Sequence, residues 1–124
     1  MVDDCVRLLS GGHADAHLIM VLGGPGGPWL LEDEDDPQRA YWARVWAARG
    51  LLWAWADRPD AVKALVTGLD DAQWRVREMC GKVVARHLVG DALDAVARLR
   101  DDDPVPRVRA AAGRAVTRLT AASA

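Results

Sequence analysis

Three stretches of this chain can be laid over one another at offsets of 31 and then 32 residues, and no other feature constrains the fold as tightly. Arg44-Val45-Trp46, Arg75-Val76-Arg77 and Arg107-Val108-Arg109 align, and Gly50, Gly81 and Gly113 each follow the leading arginine by six positions. The register runs on through Trp53, Val84 and Val116. Val76, Met79, Cys80, Val83, Val84, His87 and Leu88 fall at the i, i+3, i+4, i+7 spacing of one buried helix face. Val108, Ala111, Ala112, Ala115, Val116 and Leu119 repeat that stripe. Shorter helices are predicted over 60–69 and 91–100, so each unit reads as a long helix followed by a short one.

Turn chemistry marks the joins. Asp36-Pro37, Arg58-Pro59-Asp60 and Asp103-Pro104 each put a cap or first-turn proline where a helix should start. Glycine inside a helix costs about 1 kcal/mol relative to alanine. Its recurrence at Gly50, Gly81 and Gly113 therefore predicts a neighbouring helix too close for a side chain.

A chain of 124 residues is one domain, and with 51% hydrophobic and 27% charged residues it needs no staples to fold. No run of 18 apolar residues predicts a membrane span. The start, MVDDCVRLLSGG, lacks the basic end and apolar run of a secretory signal, so a cytoplasmic location is expected. Cys5 and Cys80 are too few for a disulfide framework and are read as free thiols. The net charge of −2 conceals an asymmetry: residues 1–71 hold 6 basic and 12 acidic side chains, residues 72–124 hold 10 and 6.

The string DDAQWRVREMCGKVVARHLVGDALDAVARLRDDD, followed by PVPRVRAAAGRAVTRL, resembles the short HEAT repeats of the phycobilisome-lyase type over residues 37–121. The aspartate, Val-Arg and small-residue signature is matched by Asp71, Val76-Arg77 and Cys80-Gly81, and by Asp103, Val108-Arg109 and Ala111-Ala112. The first unit departs, with Trp46 at the arginine of Val-Arg and Arg49 on the stripe, as in a diverged capping repeat. The resemblance implies an all-α, short α-solenoid of stacked helical hairpins, a right-handed superhelix of six to seven helices. Its parts are N-terminal cap helices and a Gly/acidic loop (1–36), a diverged repeat (37–70), a repeat (71–102) and a terminal half-repeat (103–124). It also implies structural roles for Asp71, Arg77, Gly81, Asp103, Arg109 and Gly113, with the two arginines bonding across repeats toward the two aspartates.

Chemistry-bearing constellations are sparse. Gly23 to Gly27 lacks the lysine and preceding strand of a phosphate loop and reads as a loop. The acids Glu32 to Asp36 lack calcium-loop spacing and suit a helix start. His13 and His17 of HADAH have no glutamate between them and no third ligand, so no metal or cofactor is expected. No nucleophile triad or paired acids occur, and no enzyme activity is predicted. His87 is expected to be a hydrogen-bonded core residue.

Two surfaces are candidates for a contact. Trp42, Trp46 and Trp53 share a helix face, Trp29 and Trp55 lie near, and the group reads as a helix buried on both sides. The alternative is an aromatic partner patch of Trp29, Trp42, Trp46 and Trp55. Arg75, Lys82 and Arg86 map onto Arg107, Arg114 and Arg118 as a basic ridge, either a solvated face or a seat for an anionic partner. The function expected is a non-enzymatic scaffold for another protein. Alternatives are a nucleic-acid binder akin to the HEAT-like glycosylases of alkylated DNA, whose catalytic tryptophan and aspartate have no match here, and a lyase-type accessory role. The open C-terminal helix is a further contact surface, including for an oligomer.

Overall fold

The computed structural model describes residues 1–12, 21–22 and 36–123, apart from the Gln38 side chain. Among these residues every regular element is helical: α1 (Val2–Leu9), α2 (Pro37–Leu51), α3 (Pro59–Gly68), α4 (Trp74–His87), α5 (Leu93–Asp102) and α6 (Pro106–Ser123). A single 3-10 turn, Gly90–Ala92, leads into α5. The HADAH histidines, the glycine run, Trp29 and the acids 32–35 lie outside the described residues.

Two layers result. The long helices α2, α4 and α6 stack side by side, and each short helix packs on the long helix that follows it: α1 on α2, α3 on α4, α5 on α6. The core between them is aliphatic and small, with Leu51, Leu65, Val76, Val83, Val84, Val96, Val108 and both cysteines almost wholly excluded from water. Each buried Val or Leu contributes about 1.5–3 kcal/mol relative to exposure. The stripes predicted on α4 and α6 are the buried faces, although Met79 and His87 are only half-buried and Leu88 is exposed. Leu88 closes α4 in the left-handed conformation, φ 53°, where glycine is the usual residue.

The first repeat corrects the sequence register by two residues. Ala43, Ala47, Ala48 and Leu51 are the buried residues of α2 that correspond to Val76, Cys80, Gly81 and Val84. The offset is therefore 33, which sets Arg44 against Arg77 and Trp46 against Met79. Arg49 leaves the stripe and is exposed. Trp53, expected on a buried helix face, lies past the end of α2 and is 76% exposed. Identity of the Arg-Val dipeptide misled the alignment, because α2 buries alanines that give little hydrophobic signal.

Of the three recurring glycines only Gly50 has a close neighbour, and Gly68, outside the register, has another. A Cβ at Gly81 would meet Ala111 Cβ at 3.6 Å, an ordinary contact, and one at Gly113 would meet only Arg100 Cγ at 3.8 Å. At Gly68 it would lie 2.5 Å from Cys80 Sγ, and at Gly50 2.8 Å from Cys5 Sγ. Gly68→Ala should thus destabilise by about 1–3 kcal/mol through overpacking, read as a lower urea midpoint at unchanged slope. Gly113→Ala should gain about 0.5–1 kcal/mol from helix propensity. Midpoints that move together would contradict this packing.

Candidate interaction face

The turns between short and long helices carry the charges that hold the layers in register. Arg44 donates from Nε and Nη2 to the Asp71 carboxylate at 2.7 and 3.3 Å. Arg77 does the same to Asp103 at 2.7 and 3.2 Å. Arg77 Nη1 also donates to the Asp71 carbonyl at 2.8 Å, and Arg109 Nη1 donates to the Asp103 carbonyl at 2.6 Å. The carboxylates of Asp71 and Asp103 in turn accept the backbone N–H of Gln73 and Val105, each at 2.9 Å, which starts the next long helix. The Arg77 side chain thus reaches forward to Asp103 and holds Asp71 only through its backbone. Arg44, which the sequence register placed with the surface arginines, is the side chain that holds the Asp71 carboxylate.

With the corrected register, the outward positions of the long helices, together with Trp53 just past the end of α2, form three rows: Trp42, Arg75 and Arg107; Arg49, Lys82 and Arg114; and Trp53, Arg86 and Arg118. Positions 0, 7 and 11 of a helix share one face. Among these residues Trp42 and Lys82 are half-buried and the others exposed. The three long helices carry arginine or lysine throughout and one acid, Glu78. Glu78 is buried and matched, accepting from Arg107 Nε at 2.9 Å with Lys82 Nζ at 3.8 Å.

Indole rings hold several of these cations. The Arg75 guanidinium lies 4.5 Å from the Trp74 ring and 5.2 Å from the Trp42 ring. Arg107 is 5.5 Å from Trp74, and Arg86 is 4.7 Å from Trp53. Each such contact contributes about 0.5–1 kcal/mol at an exposed site. A guanidinium over a ring face can keep its N–H donors free for carboxylate or phosphate oxygens. Arg75, Arg86, Arg114 and Arg118 donate no hydrogen bond within the described residues. Trp74 and Arg49 belong to this face and escaped the sequence reading; the 33-residue offset is the signal that would have found Arg49.

Among the described residues, the other two tryptophans face elsewhere. Trp46 and Trp55 are half-buried against the core, and Trp55 stacks on His87 with centroids 5.5 Å apart. His87 is half-buried, its Nε2 2.8 Å from the Leu51 carbonyl at the end of α2. The short-helix side is acidic by contrast. There Val66, Leu69, Ala95 and Leu99 line a groove between α3 and α5 rimmed by Asp70 and Asp102, with Arg98 the exposed cation beside them.

A family model described as HEAT repeats matches residues 28–117. No curated protein and no solved structure matches the chain significantly. Among the described residues no cluster of His, Cys, Asp or Glu could hold a metal ion, and no helix is long and apolar enough to cross a membrane.

Both cysteines are free and buried, and burial raises the thiol pKa of each. For Cys80 the Asp71 charge adds to the rise. The thiolate is the reactive form, so neither thiol should be alkylated by iodoacetamide at pH 7–8 in the native chain. Labelling at Cys80 should follow global unfolding across a urea series; rapid labelling in native buffer would contradict the packing of α3 on α4.

Proposed function

Since the chain belongs to the HEAT-repeat family, whose members are commonly protein-interaction scaffolds, we propose that it is a non-enzymatic scaffold binding an acidic protein partner. The observation that carries this reading is the outer face of the long helices, where seven cations and two indoles occupy nine equivalent positions. Arginine and tryptophan are the residues most enriched at the energetic centres of protein interfaces. Ring stacking fixes guanidiniums that would otherwise lose rotamer freedom on binding. A cytoplasmic location fits the two free thiols.

Nucleic acid is the second reading, favoured by the same cations. Trp42 and Trp74 already carry guanidinium partners, which leaves little open ring for base stacking. A lyase-type accessory role rests on likeness of repeats alone, and fold-level likeness carries little weight for activity.

The test is capture from native extract with the wild-type chain, an Arg75→Glu, Arg86→Glu, Arg118→Glu variant, and a Lys63→Glu control on the short-helix layer. Protein retained by wild type and control, lost by the triple variant and indifferent to nuclease, supports the scaffold. Retained nucleic acid whose affinity falls roughly a thousandfold between 50 and 200 mM salt, as for about six phosphate contacts, would replace it with the second reading. Equal retention by all three chains would remove this face from the account.

A further inference from the structure

We propose that the groove between α3 and α5 seats a lysine- or arginine-bearing, apolar-faced segment of a partner protein. Both of its walls are internal helices, each packed on the long helix that follows it. α3 meets the Gly90–Ala92 turn ahead of α5, and from there the groove runs along α3 toward the C-terminal ends of both helices. Its volume grows along that course, from about 490 Å³ beside Val62 and Asp91 to about 890 Å³ beside Leu69 and Leu99. Val66 and Thr67 line both stretches, so the groove is continuous. Half-buried Val62, Val66, Ala95 and Leu99 give it an apolar floor.

The wide end carries two carboxylates to which the described fold gives no partner. Asp70-Asp71 and Asp102-Asp103 are the same aspartate pair, 32 residues apart. The second of each pair is held by an arginine of the preceding long helix and starts the next one. The first is exposed, and its carboxylate forms no hydrogen bond or ion pair among the described residues. Both first aspartates stand at helix C-terminal ends, since α3 closes at Gly68 and α5 at Asp102. Helix carbonyls give such an end roughly half a negative charge, so an unpaired carboxylate there is destabilising and a cation is favoured. Arg98, the exposed cation of the groove, pairs with neither aspartate.

The cation that fits is a side chain. Among the described residues no cluster of His, Cys, Asp or Glu could hold a metal ion. An apolar floor beside carboxylates suits lysine or arginine, whose aliphatic stem packs on the floor while the charged head reaches the acids. Residues 13–35, outside the described set, contain no lysine or arginine and cannot supply it. The cations of the long helices stand in rows across three packed helices, a face too broad to enter a slot between two. The occupant is therefore foreign. The groove lies on the layer opposite the cation–indole face, and its test is independent of that reading.

The probe is an acetylated, amidated peptide of about twelve residues repeating Leu-Lys-Ala-Leu, roughly 18 Å long as a helix, titrated into the isotope-labelled full chain. A twin peptide carries glutamate in place of lysine. The expected result is shifted amides at Val62, Val66, Leu69, Ala95 and Leu99, with those of Arg86 and Arg114 unmoved, and no binding of the twin. A chain carrying Asp70→Asn and Asp102→Asn should bind the lysine peptide roughly tenfold or more weakly. Its urea midpoint should equal or exceed that of wild type, because two carboxylates leave the negative ends of helices. A lower midpoint would overturn the proposal by giving these carboxylates a structural role. So would the absence of shifts in the groove up to millimolar peptide, equal binding of the twin, or undiminished affinity in the double variant. Concentration-dependent self-association that the double variant abolishes also overturns it, by seating a second copy there.

Discussion

The paired bonds from Arg44 to Asp71 and from Arg77 to Asp103 join three structural decisions in one carboxylate each. The aspartate accepts from the previous long helix, accepts the N–H that starts the next one, and stands in the turn that ends the intervening short helix. Helix start and helix stacking are therefore coupled. The Asp103 side chain is 3% exposed, and removing one partner from such a pair costs about 3–5 kcal/mol because the survivor stays charged and buried. A slip of one long helix past another would break both bonds of a pair together.

That register is what turns scattered arginines into a face. The offsets of 33 and 32 bring Trp42 beside Arg75 and Trp53 beside Arg86, as the ring contacts of 5.2 and 4.7 Å record. Charge is sorted by layer more than by position along the chain: the long helices are basic, while the turns and short helices carry nearly all the described acids. The same pairs that stack the layers also consume Asp71 and Asp103, which keeps carboxylates from neutralising the outer face.

The well-matched repeats were legible because identity and burial agree there. Val76 and Val108, and Val84 and Val116, coincide in both respects, and Cys80 and Ala112, Val83 and Ala115 in burial. In α2 they diverge: the core positions are Ala43, Ala47 and Ala48, too small to mark a stripe, while an Arg-Val dipeptide two residues out of step marks the wrong one. The separation from arginine to aspartate, 27 residues for Arg44 and 26 for Arg77, was present in the sequence as the better guide. The basic ridge was legible as a period, but its indole partners were not, since only the 33-residue offset sets Trp53 against the exposed Arg86. The glycines misled for a related reason. Recurrence found Gly50 but not Gly68, because a tight contact depends on where Cys5 and Cys80 arrive from other helices.

The most direct measurement is a double-mutant cycle on Arg44→Gln and Asp71→Asn, followed by urea unfolding of the four chains. A register set by the arginine–aspartate ladder predicts a coupling on the order of 1–3 kcal/mol between these residues, which are 27 apart in sequence. A coupling below about 0.5 kcal/mol, the level of independent sites, would contradict it and return Arg44 to the surface.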